Sequence, residues 1–172
     1  MRHLDSSTGD LNNRLTIRAM VASDLDRVMG IAASLATAPQ WTRAAYEAAI
    51  ASGDRPRRIA LVAERSGEVI GFAIARVVGP VAEIETIGID GKMQGRGFGS
   101  SLLLAVLDEL RLAGVEDVEL EVRSSNERAI RLYERAAFRE VGRRRGYYRE
   151  PAEDAVLLRL SGFEMVRPVA AV

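Results

Sequence analysis

A strand-like run, a glycine-rich turn and a helix follow one another between residues 81 and 112. The apolar run Val81 to Asp90 predicts a strand, and Ser100 to Leu112 carries the most strongly helical pattern of the chain. Between them lies Gln94-Gly95-Arg96-Gly97-Phe98-Gly99. Glycines let the backbone approach an anion closely, and the N–H groups at a helix start carry partial positive charge. The segment therefore predicts a site for a phosphorylated ligand.

The spacing of the glycines separates the known kinds of phosphate loop. A nucleotide-triphosphate loop needs Gly-Lys-Ser/Thr, which does not occur, and a dinucleotide fingerprint needs a glycine that is missing whether the count starts at Gly95 or Gly97. Gln94, Gly97 and Gly99 instead form Gln-x-x-Gly-x-Gly, and this resembles the pyrophosphate-binding signature of the GNAT acetyltransferase superfamily. For the loop alone, a turn that merely caps a core helix is the alternative.

Composition limits the chemistry that is available. The chain has no cysteine, its only histidine is His3 in a polar leader, and Lys92 is its only lysine. These counts exclude thiolate zinc sites and cysteine nucleophiles, and they argue against serine-histidine-aspartate hydrolysis and any metal site. Acid–base chemistry is left to Glu, Asp and Tyr.

Charge and hydropathy limit the partners. Lys+Arg and Asp+Glu balance at 24 each, which argues against direct nucleic-acid binding and against an anionic membrane as partner. No apolar run approaches 18 residues, and residues 1–13 lack a signal-peptide core. We expect a cytoplasmic protein that is a monomer or homodimer.

The order of predicted elements indicates one α/β (α+β) domain. We expect a flexible leader over 1–13, a domain over 14–161 and a tail over 162–172, with a mixed, mostly antiparallel central sheet and helices on both faces. The predicted strands are 15–19, 58–64, 69–78, 81–90, 117–123, 138–145 and 155–160. The predicted helices are 24–35 capped by Ser23, one capped by Thr42 and running to Ile50, 100–112, and one that a capping box at 124–127 starts and that runs to Ala136.

Four glutamates occupy two predicted strands. Glu119 and Glu121 alternate with apolar residues and so share one strand face, and Glu83 and Glu85 do the same on the preceding strand. Each could belong to a wet sheet face or pair with an arginine, since glutamate is rarely buried alone. As a set they favour a cleft that receives a cation.

The helix after the fifth strand presents an amide and a phenol on one face. Asn126 and Tyr133 stand seven residues apart, two helical turns, so both can face a ligand that lies between the fourth and fifth strands. Packing in the core is the alternative for Tyr133.

Three segments carry a closer resemblance. Residues 120–126, 129–134 and Ala137-Phe138 resemble the ribosomal-protein alanine N-acetyltransferase (RimI-like) branch of the GNAT superfamily, and Pro39-Gln40-Trp41-Thr42 and Arg144-Arg145-Gly146-Tyr147-Tyr148 are further matches. The superfamily resemblance covers roughly residues 15–160.

The resemblance implies a role for each matching position. It implies Glu121 as general base, Tyr133 as the acid that protonates the departing thiolate of coenzyme A, and acetyl-CoA as co-substrate. Implied cofactor-binding residues are Ile87, Gly88, Ile89, Gln94, Gly95, Arg96, Gly97, Phe98, Gly99, Ser100, Asn126 and Tyr133. Expected substrate-binding residues are Trp41, Glu83, Glu85, Tyr147 and Tyr148.

Elementary chemistry agrees with these roles. An α-amine has a pKa of about 7.7–8.0, so a carboxylate can help to release the neutral nucleophile, and a tyrosine of pKa about 10 can protonate a thiolate. No covalent intermediate is needed.

Some positions depart from the branch. Glu85 and Thr86 stand where RimI-like proteins tend to carry an aromatic residue and an amide, and Gly91 replaces the usual proline. Other branches place the base on the fourth strand, which keeps Glu83 and Glu85 as alternatives to Glu121. Five arginines at 139, 143, 144, 145 and 149 could hold a 3′-phosphate or an acidic partner, or could balance the glutamates on a solvated face.

The function that we expect is acetyl transfer from acetyl-CoA to a primary amine, most readily a protein N-terminal α-amine. The alternatives are a lysine or small-molecule amine acetyltransferase of the same fold, and a non-catalytic acetyl-CoA-binding domain.

Overall fold

A computed structural model describes residues 14–51 and 56–162. The described chain forms seven strands and four α-helices, in the order that the sequence predicts. The strands are β1 (Leu15–Ala19), β2 (Arg57–Arg65), β3 (Glu68–Val78), β4 (Val81–Ile89), β5 (Asp117–Arg123), β6 (Arg139–Arg149) and β7 (Ala152–Leu160). The helices are α1 (Leu25–Ser34), α2 (Arg43–Ile50), α3 (Phe98–Leu112) and α4 (Glu127–Arg135).

The strands form a single mixed sheet in the order β1-β2-β3-β4-β5-β7-β6. Every neighbouring pair is antiparallel except β4 and β5. Apolar residues of α1 and α2 pack on one face of the sheet, and those of α3 and α4 pack on the other. This arrangement confirms the predicted fold class. No helix among the described residues is long and apolar enough to cross a membrane.

The parallel pair β4 and β5 is joined only at its beginning. Its three registered pairs end at Glu83 opposite Glu119, and the remaining residues of the two strands have no partner across this junction. The sheet therefore opens between the later halves of β4 and β5, in its middle rather than at an edge.

A β-bulge in β4 lies beside this opening. Ile74 of β3 faces Thr86 while the next residue, Ala75, faces Ile84, so Glu85 is the extra residue. Before the bulge Ile84 joins the core beneath α3, and after it Ile87 does, so the alternation of side chains shifts by one. Bulges bend and twist a strand, which turns β4 away from β5. Nothing in the sequence predicts this bulge.

The predicted helix caps are partly correct. The Thr42 side chain accepts a hydrogen bond from the Ala45 N–H and starts α2, as predicted. Ser23 does not cap α1, because it lies inside a 3₁₀ turn that precedes the helix. Asp24 takes the N-cap position, and its carboxylate binds Arg18 at 2.7 Å. Gly114, with a φ of +78°, lies just beyond the end of α3, and its N–H donates to the Arg111 carbonyl.

The last hairpin is longer than predicted. Residues 146–149 and 152–154, which the sequence assigns to a connecting loop, extend β6 and β7, and only Glu150-Pro151 turns the chain. The register shifts between Arg144 and Tyr148, where Gly146 has a φ of +57° and its N–H binds Asp154. Tyr147 and Tyr148 are thus fixed by a sheet rather than carried on a loop.

Some expectations lie outside the described residues. These are the leader at 1–13 with His3, most of the tail at 162–172, and residues 52–55 of the loop before β2. The domain limits 14 and 161 remain a proposal.

Candidate functional site

A cleft of about 1020 Å³ passes through the opening between β4 and β5. Its lining includes the glycine loop and Tyr133 on the face of α3 and α4. It also includes Glu121, which lies on the opposite face of β5 because Leu120 and Val122 point into the core. Of the predicted site residues, those that line the cleft are Glu83, Glu85, Ile87, Gly88, Ile89, Gln94, Gly95, Gly97, Phe98, Gly99, Ser100, Glu121, Asn126, Tyr133, Tyr147 and Tyr148.

Two predicted residues lie elsewhere. Trp41 is not among the residues that line the cleft, and its ring packs on Tyr46 at a centroid distance of 5.4 Å in the core beneath α1 and α2. The Arg96 side chain is exposed and does not line the cleft, although its backbone belongs to the glycine loop. The segment just before Trp41, residues 35–40, does line the cleft.

The glycine loop offers an array of unused donors. In the part of the chain that the structure describes, the backbone N–H groups of residues 95–100 make no backbone hydrogen bond. The last three belong to the first turn of α3, where N–H groups have no partner within the helix. Gly95 and Gly97 have φ values of +81° and +84°, which other residues adopt only at a cost. Such an array can hold a pyrophosphate.

The two glycines of the Gln-x-x-Gly-x-Gly motif, Gly97 and Gly99, should tolerate an added Cβ differently. We expect Gly97→Ala to weaken coenzyme A binding by about tenfold, because a Cβ at positive φ costs roughly 1–2 kcal/mol and distorts the loop. At Gly99, within α3, an added Cβ would meet Ile89 and Leu132 at an ordinary 3.8 Å. Gly99→Ala is therefore the matched control, with a loss below about threefold. Calorimetry that gives equal losses for both variants would contradict this assignment.

Gln94 ties the loop to its surroundings. Its side-chain Nε2 donates to the Ile89 carbonyl at 3.0 Å, and its Oε1 accepts from Arg128 of α4 at 2.9 Å. Asp90 stabilises the turn before it, because its carboxylate accepts from the Lys92 N–H and from Arg27 of α1. These hydrogen bonds lower the pKa of Asp90.

The α4 side of the cleft presents Asn126 and Tyr133. The Asn126 side-chain oxygen caps α4 by accepting from the Ala129 N–H at 3.2 Å, which leaves its NH₂ group to bind a ligand. Tyr133 is only 5% exposed, and its ring packs on Phe138. Burial, with a smaller effect of Tyr148, raises the pKa of the Tyr133 hydroxyl well above its ordinary value. The phenol is therefore protonated at neutral pH.

Each of the four strand glutamates has an arginine partner. Arg58 binds Glu85 at 2.7 Å and Arg144 binds Glu121 at 2.8 Å. The other two pairs are Arg76 with Glu83 and Arg159 with Glu119. Pairing with arginine, one of the two alternatives for single glutamates, is thus confirmed, and the set has no net negative charge.

Glu121 lies among aromatic side chains of the β6–β7 hairpin. A hydrogen bond with Glu121 raises the pKa of Tyr147, and burial, followed by the charge of Glu121, raises the pKa of Tyr148. Tyr147 and Tyr148 pack edge to face at 5.2 Å. Glu121 itself is 21% exposed. The carboxylate is therefore within reach of a ligand in the cleft.

Glu153 of β7 anchors this hairpin to the start of α4. Its carboxylate accepts from the Ser125 N–H, from the Ser124 hydroxyl and from Arg123, which in turn stacks on Tyr148 at 4.1 Å. The Ser125 bonds, first of all, lower the pKa of Glu153 to about 2. Because folding lowers the pKa of Glu153, its hydrogen bonds stabilise the folded state fully at pH values above the unfolded pKa of about 4.3. This stabilisation is lost as pH falls from there to about 2.

Sequence reasoning missed three residues here. Arg123 lies in a matching segment but carries no implied role, and Arg128 and Glu153 lie outside the matching segments. Their partners are 28 to 34 residues away in the chain, so only the folded chain brings them together.

A glycine-rich loop with unused N–H groups, a buried phenol and a carboxylate line one opening in the mixed sheet. The acetyltransferase (GNAT) family model matches residues 20–138, and the chain belongs to this family. Acetyl-CoA is the acetyl donor of the family.

Relatives place the chain in the RimI-like branch of N-acetyltransferases. It is 37% identical over 150 residues to the N-alpha-acetyltransferase RimI of Mycobacterium tuberculosis, covering 84% of this chain and 91% of the relative. It is 38% identical over 116 residues to the [ribosomal protein bS18]-alanine N-acetyltransferase of Escherichia coli K12, covering 66% and 78%. The crystal structure of the E. coli ribosomal-protein-S18-alanine N-acetyltransferase superposes with a TM-score of 0.78 at 30% identity, covering 92% of this chain and all of that one.

Proposed function

We propose that this protein transfers the acetyl group of acetyl-CoA to the N-terminal α-amine of a protein. The observation that carries the proposal is the opening between β4 and β5, whose lining includes the glycine loop and Tyr133 on the face of α3 and α4 and Glu121 on the opposite face of β5. A donor entering from the α3 and α4 face and an amine entering from the opposite face would meet within the sheet.

Glu121 and Tyr133 divide the proton transfers. Glu121 takes the extra proton of the ammonium group through a water and passes it to solvent, and the neutral amine then attacks the thioester carbonyl. After the attack the nitrogen gives a second proton to Glu121. The carbon–sulfur bond then breaks, and the thiolate takes a proton from Tyr133. The products are an amide and coenzyme A, and the proton held by Glu121 returns to Tyr133 through solvent.

The raised pKa of Tyr133 refines this role. A phenol near its ordinary pKa would be the closer match to a thiolate, whereas burial makes Tyr133 a weaker acid. Its main contribution is then a hydrogen bond to the sulfur as negative charge develops, with the proton transferred late. This interaction exists chiefly in the transition state.

The charge of the cleft favours an α-amine over a polyamine. Because arginines neutralise Glu83, Glu85 and Glu121, these three carboxylates of the cleft wall give no strong field for a polycation. An α-amine, with a pKa of about 7.7–8.0 against about 10.4 for lysine, is also easier for a carboxylate to deprotonate.

Thiol release with matched acceptors tests the proposal. We expect release with peptides that have a free N-terminus and none after the same N-terminus is capped, even when the peptide contains a lysine. Release that survives capping, or that requires a polyamine, would point to the lysine or small-amine alternative. Coenzyme A binding without release on any acceptor would leave the non-catalytic alternative.

A further inference from the structure

Arg128 lies on the first turn of α4 and faces the glycine loop across the cleft. Its NH1 donates to Gln94 Oε1 at 2.9 Å, and its NH2 lies 3.6 Å from the position that a Cβ on Gly95 would occupy. It is also among the residues that line the cleft. The guanidinium therefore lies against the part of the loop whose N–H groups are unused.

The charge of Arg128 is not cancelled by a carboxylate. Among residues 14–51 and 56–162, its recorded partner is the neutral amide of Gln94, whereas Arg123 and Arg144 beside the same cleft pair with glutamates. A guanidinium has five N–H donors in a planar fork, and the bond to Gln94 uses one of them. The remaining donors can bind an anion held by the loop.

Gln94 fixes the position of this guanidinium. The Gln94 side chain is itself held at its other end by the Ile89 carbonyl, at the last residue of β4. Arg128 is thus connected through one amide to the strand that forms the cleft wall. A long side chain that is already held in place loses less conformational freedom when it binds a ligand.

We propose that Arg128 is a pyrophosphate ligand for the coenzyme A moiety, and that Gln94 is its positioning residue. The proposal rests on the proposed function only for the identity of the donor. A charge-assisted bond from the guanidinium supplements the backbone N–H groups, and it supplies full positive charge where the loop supplies only dipoles.

Calorimetry with coenzyme A and with dephospho-coenzyme A tests the proposal. We expect Arg128→Gln to weaken binding of both ligands by about tenfold, because both contain the pyrophosphate, and we expect the loss to shrink as salt rises. Arg131→Gln is the matched control, since Arg131 is exposed on the same helix and pairs with Glu127. Its affinities should stay within about twofold of wild type.

Gln94→Leu provides a second and independent variant. It keeps Arg128 but removes the oxygen that holds it, so we expect a loss of about threefold. In the double variant with Arg128→Gln, Gln94→Leu should weaken coenzyme A binding by less than it does alone, because the two residues act as one unit.

Three results would overturn the proposal. They are unchanged affinity in Arg128→Gln, a loss as large in Arg131→Gln, and a loss that is present with coenzyme A but absent with dephospho-coenzyme A, which would assign Arg128 to the 3′-phosphate. Thermal unfolding confirms that each variant is folded. The calorimetry contains no acceptor amine, so its result does not depend on which amine the protein acetylates. Wild-type protein that binds no coenzyme A would overturn both this proposal and the proposed function.

Discussion

Glu121→Gln should lower kcat/KM by about 10²–10⁴-fold, the largest effect that we expect from one substitution. The change keeps the volume of the side chain and its place on β5 but removes the group that accepts the proton. The acidic limb of the pH–rate profile should flatten in the variant, because that limb reports protonation of the base. Steady-state rates from pH 5 to 9 on a peptide with a free N-terminus provide the measurement.

Glu85→Gln and Glu83→Gln are the comparison variants on β4. The proposed mechanism gives neither carboxylate the proton, and each holds an arginine at the cleft, Arg58 for Glu85 and Arg76 for Glu83, so we expect their effects to fall mainly on KM. A lost acidic limb in either variant, together with a retained limb in Glu121→Gln, would place the base on β4. The proposed roles would then be wrong, while the family assignment would stand.

Tyr133→Phe should lower kcat by about 10²-fold and leave coenzyme A affinity almost unchanged, because the interaction that it removes develops in the transition state. The ring keeps its contact with Phe138, so the fold should survive. Since the pKa of Tyr133 is raised, its hydroxyl stays protonated throughout the neutral and mildly alkaline range. The variant should therefore change the height of the pH–rate profile below about pH 10 and not its shape.

Single-turnover rates and calorimetry on the same Tyr133→Phe preparation separate chemistry from binding. A kcat within about threefold of wild type would assign Tyr133 to packing alone. A rate restored at low pH would instead indicate that another group supplies the proton. Tyr148, whose charge influences the pKa of Tyr133, is the first residue to substitute in that case.

The sequence predicts the fold well where short-range patterns decide it. The limits of β1 are the same in sequence and structure, because five residues between turn signals leave little choice. Thr42 caps α2 as predicted, since a side chain that binds an N–H three residues on is a local interaction. The fold class follows from the order of such elements.

The sequence fails where distant segments decide the structure. The bulge at Glu85 depends on how β4 pairs with β3, and the length of the β6–β7 hairpin depends on a register shift at Gly146. The arginine partners of the four glutamates come from β2, β3, β6 and β7. Side chains on four strands cannot be assigned to one another from spacing alone, because spacing carries no information on long-range register.

Trp41 shows how a matching motif can mislead the assignment of a site residue. It belongs to a segment that resembles the branch, but its ring supports Tyr46 in the core beneath α1 and α2. A matching motif therefore locates a segment near the site without showing which of its side chains faces the ligand. Here residues 35–40 line the cleft, whereas the Trp41 ring packs on Tyr46.

Glu153 connects the two proposed substrate sites. One carboxylate binds the turn that begins α4, where Asn126 lies, and through Arg123 it also holds the hairpin tyrosine Tyr148. An acceptor that moves the hairpin must therefore disturb the turn beside the donor, and a donor that fixes the turn must steady the hairpin. By thermodynamic reciprocity, each substrate should change the affinity of the other by the same factor. Binding of the acetyl donor would then change the affinity of the hairpin wall for the amine.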